Sequence, residues 1–108
     1  MDAERLYERR WALTLLDCVL ERLQAEFAAA GKTELFDSLQ PFLLGENTGR
    51  TYAEVAADLA TTEGSIKMTV LRLRQRYREL LRDEITQTVD TPEAVEAELR
   101  HLRSVLRG

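Results

Sequence analysis

Residues 51–85 read TYAEVAADLATTEGSIKMTVLRLRQRYRELLRDEI and predict two helices joined by a short turn. Thr51 and Glu54 have the spacing of a capping box, in which the hydroxyl accepts from the N–H of Glu54 and the carboxylate accepts from the N–H of Thr51. Thr62 is a second candidate N-cap, which places Glu63 in the favourable first turn of the next helix. The two caps predict a short helix followed by a long one.

The long helix has one apolar stripe and one polar, cationic face. The apolar residues recur at helical spacing, which predicts that their face is buried: Ile66, Val70, Leu73, Tyr77 and Leu80. The residues turned away from this stripe are polar or cationic with one methionine: Lys67, Met68, Arg72, Gln75 and Arg78. A short capped helix, a tight turn and a second helix with a cationic outer face are typical of a helix-turn-helix, in which the second helix reads DNA.

The same stretch resembles region 4 of the sigma-70 family of bacterial RNA polymerase sigma factors, in particular the extracytoplasmic-function type. The similar motifs are T-x-x-E-V-A at 51–56, T-E-G-x-I-K at 62–67 and R-x-R-x-R-Y-R-E-L-L at 72–81. LuxR-type regulators share the first half, and the arginine series running into Tyr77 favours the sigma family. The resemblance is strong over 51–85 and weaker over the flanking helices.

The resemblance implies a module that reads a −35-type element in double-stranded promoter DNA and docks on the β flap of the RNA polymerase core. An anti-sigma protein is a further candidate partner. Of the matching residues, Lys67, Met68 and Arg72 would reach the major groove, and Glu63 could accept from a cytosine amine. The full set of predicted DNA-binding residues is Thr62, Glu63, Gly64, Ser65, Lys67, Met68, Thr69, Arg72, Arg74, Arg76 and Arg78.

Other interpretations of the chain follow from what it lacks. A complete sigma factor also has region 2, and only one helix precedes the resembling part here, so we expect a fragment, a truncated copy or a stand-alone region 4 protein. The alternative function is a helix-turn-helix interaction module that binds polymerase, a regulator or itself without reading DNA. An enzyme is not predicted, because the sequence has no catalytic constellation and no phosphate-binding loop.

Charge is distributed unevenly along the 108 residues, a length that suits one small domain. The net charge of −4 does not mark a nucleic-acid-binding protein. Residues 63–82, however, have a local net charge of +4, and residues 83–98 contain six acidic residues and no cation. A cationic strip on an acidic protein can bind DNA where the strip points, although most such strips are solvated helix faces.

The cysteine, the histidine and the apolar runs of the sequence indicate no disulfide, metal site or membrane segment. Cys18 cannot form an internal disulfide, and its apolar neighbours predict a buried small side chain. His101 is expected at the surface or in an interface. The sequence has no metal-ligand spacing, and no cofactor is expected. No apolar run reaches membrane-spanning length and the N-terminus is charged, so we expect a cytoplasmic protein without a membrane partner.

The whole sequence predicts an all-α fold of about five helices around the central helix-turn-helix. A first helix is predicted over 3–30, with Tyr7 and Trp11 packed in the core. A second begins at Thr33, and Pro41 is expected to kink it or stop it early. The predicted organisation is a long N-terminal helix at 1–32, a helix-turn-helix domain at 33–86 that contains a loop at 46–50 before Thr51, and a C-terminal helix at 87–108 capped by Thr91 and packed on the same domain.

Overall fold

A computed structural model describes residues 3–45 and 49–107, and every regular element in these ranges is an α-helix. The helices are α1 Ala3–Ala29, α2 Thr33–Leu43, α3 Tyr52–Asp58, α4 Glu63–Thr86 and α5 Pro92–Arg107. The predicted all-α class with five helices is therefore confirmed. The predicted loop at 46–50 lies partly outside the described residues. None of the described helices is long and apolar enough to cross a membrane.

The chain forms two compact units, whose boundaries fall inside helices. The first unit contains Met1–Arg22 and Arg78–Gly108, and the second contains Leu23–Tyr77. Both α1 and α4 therefore contribute residues to each unit. The domain boundaries predicted from the sequence, 1–32, 33–86 and 87–108, lie between helices. They remain a prediction.

The core of the first unit is formed by α1, the end of α4 and α5. One cluster of buried side chains contains Ala12, Ile85, Val95, Leu99 and Leu102, and Val19 and Leu80 are also buried in this unit. The buried positions on α5 recur at intervals of four and three, as an amphipathic helix requires. Trp11 packs against this core, as predicted. Tyr7, which was expected beside it, is 74% exposed, because it lies one turn before Trp11 where the buried face of α1 has ended.

The second unit combines the end of α1, α2, α3 and the first part of α4. Aromatic pairs connect its helices: the ring centroids of Phe27 and Phe36 are 5.5 Å apart, and those of Phe42 and Tyr52 are 4.9 Å apart. Such tilted ring pairs stabilise a core beyond the area they bury. The buried side chains of this unit are Leu23, Phe36, Leu39, Val55, Ala56, Ile66, Val70 and Leu73.

Three threonines cap helices as predicted. The Thr51 hydroxyl accepts from the N–H of Glu54 at 3.2 Å, and the Glu54 carboxylate accepts from the N–H of Thr51, which completes the capping box. The Thr62 hydroxyl accepts from the N–H of Ser65 at 3.1 Å, and Thr91 caps α5 in the same way. Each cap satisfies one N–H that has no carbonyl partner within its helix. The starts of α3, α4 and α5 are thus fixed by local sequence.

Pro41 lies near the end of its helix, as expected, whereas Cys18 differs from expectation. Pro41 lies inside α2, which continues to Leu43. A proline so close to the C-terminal end removes only one hydrogen bond of the helix, so α2 ends two residues later. Cys18 is exposed rather than buried, because it faces away from its buried neighbour Val19. Partial desolvation, followed by the negative charge of Glu84, raises the pKa of the Cys18 thiol, which disfavours the reactive thiolate.

The end of α3 contains a strained residue. Ala60 has φ of 54°, a left-handed conformation that glycine adopts more readily than alanine. The N–H of Thr61 donates to the carbonyl of Ala56 at 2.9 Å, and the N–H of Ala60 donates to Ala57 at 3.3 Å. This pair of hydrogen bonds is the Schellman motif, which satisfies the last carbonyls of a helix and turns the chain sharply. The motif sets the tight connection between α3 and α4.

We expect Ala60→Gly to stabilise the protein by about 0.5–1 kcal/mol, because glycine removes the cost of the left-handed backbone and keeps both hydrogen bonds. The measurement is thermal or urea unfolding followed by circular dichroism. Ala57→Gly is the matched control: this exposed position is inside α3, where glycine should destabilise by a similar amount. Equal destabilisation by both substitutions would show that Ala60 is not strained.

Candidate nucleic-acid interface

The first part of α4 separates an apolar face from a polar one. Ile66, Val70 and Leu73 are each 1% exposed and belong to the core of the second unit. Lys67 and Arg72 are exposed because they lie outside the arc of the helix surface that these three residues occupy. Met68 is 49% exposed on the same outer face, and the half-buried Thr69 lies at the edge of the core. Three of the residues predicted to enter the major groove therefore share one accessible surface.

The N-terminus of α4 is also accessible. Thr62, Glu63, Gly64 and Ser65 are all exposed. The N–H groups of Glu63 and Gly64 come before the one capped by Thr62, so helix geometry gives them no carbonyl partner within α4. Such N–H groups and the positive end of the helix dipole attract an anion, an effect that the Glu63 carboxylate partly cancels. The hydroxyl of Thr69 donates to the carbonyl of Ser65 at 2.8 Å and is turned towards the backbone.

Gly64 has no structural requirement for glycine. A Cβ added at this position would meet no atom within 4 Å, and its φ is not in the left-handed region. Glycine in the first turns of a helix costs stability relative to alanine, because it loses more backbone freedom on folding. The fold therefore gives no reason for this glycine. A close approach of a ligand to the backbone is the usual alternative reason.

Two of the predicted DNA-binding arginines, Arg74 and Arg76, are engaged within the protein. Arg74 is half-buried and donates to the carbonyl of Phe42 at 3.2 Å, so its charge lies at the negative C-terminal end of α2. Arg76 forms a two-pronged ion pair with Glu26, with N–O distances of 2.8 and 2.7 Å. Both side chains of this pair are about 40% exposed, which makes it a weak surface interaction. Arg74 and Arg76 have structural contacts that helical spacing alone did not indicate.

Three other cations of α4 have no such contacts within the described residues. Lys67, Arg72 and Arg78 are exposed, and within the described part of the chain none of them forms an ion pair. Lys67 and Arg72 belong to the second unit, and Arg78 belongs to the first. Their charges are thus available to an anionic partner.

An apolar pair lies on the outer face of α4. Leu71 is 56% exposed, and Met68, three residues before it, is 49% exposed. Residues three apart are neighbours on a helix surface, so these side chains form a small apolar patch beside Arg72. A thymine methyl group or another protein could bury this patch.

The pair between Arg76 and Glu26 is a contact that the sequence did not reveal. The two residues are 50 positions apart, and no local motif connects them. Metal chemistry has no candidate centre, since no group of three or more His, Cys, Asp or Glu side chains among the described residues could hold a metal ion. Comparison of the chain with protein-family models, with curated proteins and with solved structures gives no match.

Proposed function

We propose that the chain is a DNA-binding module that acts in transcription initiation, like region 4 of the sigma-70 family. In this proposal α3 and α4 form a helix-turn-helix, α4 reads a −35-type element, and the module also contacts the RNA polymerase core. The main support is the accessible cationic face of α4, where Lys67 and Arg72 are exposed and unpaired among the described residues. A reading helix presents base-contacting residues from its N-terminal half, where these two lie.

The N-terminus of α4 gives additional support. The exposed first turn offers backbone N–H groups to a phosphate, and the absence of a side chain at Gly64 would let a sugar–phosphate backbone approach closely. Phosphate contacts fix the position of a protein on the duplex, and base contacts give specificity. In this proposal the first turn of α4 positions the protein, and Lys67, Met68 and Arg72 contact the base edges.

We expect duplex binding to weaken as salt increases, with a slope of log K against log salt of about −3. This value corresponds to about three phosphate contacts, because each releases about 0.9 counterions. The charge is supplied by Lys67, Arg72 and Arg78, which are exposed on α4 and form no ion pair among the described residues. Fluorescence anisotropy with a labelled duplex at several salt concentrations gives the slope.

The matched control for the salt titration is Arg76→Ala. Arg76 is already paired with Glu26, so its removal should change the slope by less than the removal of Arg78 does. A flat salt dependence, or no duplex binding at low salt, would contradict the DNA-binding proposal.

Gly64→Ala should separate folding from DNA binding. We expect the substitution to stabilise the protein by about 0.5 kcal/mol, because alanine is the better helix former and its Cβ has open space. We also expect duplex affinity to fall several-fold, because the added methyl group keeps the phosphate backbone away. Thermal unfolding and anisotropy on the same sample test both effects. Unchanged duplex affinity would show that the DNA backbone does not approach Gly64.

The apolar pair Met68 and Leu71 favours a second candidate function, a protein-interaction module that does not read DNA. Exposed apolar neighbours on a helix commonly mark a protein-binding surface. In this alternative the outer face of α4 would bind polymerase, a regulator or another copy of the chain. The salt titration distinguishes the two functions, because only the first requires binding to duplex DNA.

A further inference from the structure

A second group of cations lies on the first unit and includes none of the predicted DNA-binding residues. Arg5 and Arg9 are in the first turns of α1, and Arg100, Arg103 and Arg107 lie along the last turns of α5. All five side chains are exposed. Within α5, the spacings of three and four residues place the arginines on one stripe of the helix surface. This group of arginines is called the cationic end of the first unit.

Two residues of the cationic end, Arg5 and Arg9, line a groove between α1 and α5, and its other three arginines line a second groove that shares Ser104 with the first. The first groove has a volume of about 410 Å³, and its lining includes Arg5, Leu6, Arg9, Ser104 and Val105. Leu6 is 54% exposed, and Val105, which is partly buried, packs against the core of the first unit. Apolar side chains therefore form part of the groove lining, together with Arg5 and Arg9.

His101, which lines the first groove, contacts one aromatic and one acidic side chain. The ring centroids of Trp11 and His101 are 5.9 Å apart, and Nε2 of His101 lies 3.6 Å from a carboxylate oxygen of Glu8. Glu8 and His101 also line the groove. The groove is thus lined by two arginines and one acidic side chain, an excess of one positive charge (2 − 1) from these residues.

None of the five arginines forms an ion pair within the described part of the chain. Other arginines of the same unit do: Arg22 contacts Asp83 at 3.0 Å and Glu84 at 2.7 Å, and Arg82 pairs with Glu96. Acidic residues are not scarce, since the sequence has 19 of them against 15 basic residues. The arginines of the cationic end therefore lie together without ion pairs of their own, although the charge of Glu96, which pairs with Arg82, also attracts Arg100 and Arg103. Like charges grouped in this way repel one another in the folded state.

Helix electrostatics explains only part of this arrangement. Arg103 and Arg107 lie near the C-terminus of α5, where a cation interacts favourably with the helix dipole. Arg5 lies in the first turn of α1, at the positive end of that dipole, where a cation is unfavourable. The placement of Arg5 beside the arginines of α5 therefore does not stabilise the fold by this mechanism. Binding of a negatively charged partner would account for it.

We propose that the cationic end binds an acidic, amphipathic segment of a partner protein. Carboxylates of the segment pair with arginines, whose planar guanidinium groups bind carboxylates through two parallel hydrogen bonds. Apolar side chains of the segment cover Leu6 and Val105, which removes their surface from water. A nucleic-acid backbone would satisfy the arginines but leave Leu6 and the 39%-exposed Leu106 in contact with water. The proposal uses no residue of α4 and is independent of DNA binding.

The test uses the full chain and a fluorescein-labelled synthetic helix of about 15 residues, or roughly four turns. This probe has leucines on one face and glutamates at its other positions. A second peptide has alanines in place of the leucines, and a short random-sequence DNA duplex is the third probe. The binding constants of all three are measured by anisotropy at one salt concentration.

We expect Arg9→Glu with Arg103→Glu to weaken binding of the leucine peptide about tenfold or more, because two attractive charges become repulsive. The matched control, Lys67→Glu with Arg72→Glu, makes the same change of charge on α4 and should leave peptide binding unchanged. Leu6→Asp, a single change at an exposed position, should also weaken peptide binding. Circular dichroism confirms that each variant keeps its fold.

Four results would overturn the proposal. The leucine peptide could fail to bind, or the alanine peptide could bind as tightly, which would show a response to charge alone. Both double variants could weaken peptide binding equally, which would remove the link to this surface. Finally, Arg9→Glu with Arg103→Glu could weaken the duplex and not the peptide, which would make the cationic end a nucleic-acid surface.

Discussion

Leu73→Asp should abolish cooperative folding. Leu73 is 1% exposed on the inner face of α4, and an aspartate in its place would bury a carboxylate without a partner. Such burial costs several kcal/mol, and loss of the leucine side chain from a core costs a further 2–5 kcal/mol or so. The total is comparable to the whole stability of a small protein, about 5–10 kcal/mol. Thermal unfolding followed by circular dichroism is the direct measurement.

Leu71→Asp is the matched control for this experiment. It makes the same chemical change two residues earlier on the same helix, where the side chain is 56% exposed. We expect it to change the unfolding temperature only slightly, because an exposed carboxylate stays hydrated. If Leu73→Asp melted cooperatively at the wild-type temperature, the buried face of α4 would not be the one described.

If α4 reads DNA as proposed, Arg72→Ala should relax the sequence preference of binding. Arg72 is exposed on the outer face of α4, in the half of the helix that enters the groove in a helix-turn-helix. Loss of a base contact should cost about 1–3 kcal/mol on the preferred duplex and less on a random one. The preferred duplex is first selected from a random pool with the wild-type protein, and both affinities are then measured by anisotropy.

Arg78→Ala should have a different effect. Arg78 lies nearly two turns beyond Arg72, where the helix is expected to leave the groove and contact phosphates. Its removal should weaken binding to both duplexes about equally and reduce the magnitude of the salt slope by about one. If the two substitutions weakened both duplexes to the same extent, α4 would hold DNA without reading it.

Local sequence was sufficient to predict where the helices begin. The capping box of Thr51 and the caps at Thr62 and Thr91 each depend on residues within three positions of one another. The buried stripe of α4 was predictable for the same reason, since a period of 3.6 residues directly places Ile66 and Leu73 on one face. These features need no knowledge of the rest of the fold.

Features that depend on distant partners were not predictable. Arg74 and Arg76 have the same spacing and chemistry as the exposed cations of α4, and only the positions of Phe42 and Glu26 distinguish them. Cys18 has apolar neighbours in sequence, yet a helix turns about 100° per residue, so adjacent positions can be buried and exposed. Tyr7 shares a helix face with Trp11, and its exposure depends instead on where the buried part of that face ends.

The cationic end of the first unit had a partial sequence signal. Arg100, Arg103 and Arg107 recur at helical spacing, which places them on one stripe of α5. Arg5 and Arg9 have similar spacing on α1, but nothing in the sequence indicates that the first turns of α1 and the last turns of α5 line one groove. That information comes from the packing of α1 against α5 in the first unit.

The most direct test of the proposed function is the ratio of two dissociation constants of the wild-type protein. One is for the duplex selected from a random pool, and the other is for a scrambled duplex of the same composition, both at one salt concentration. If α4 reads base edges, the selected duplex should bind about tenfold more tightly or better, since one good base contact contributes about 1–3 kcal/mol. Equal dissociation constants would contradict sequence reading by α4.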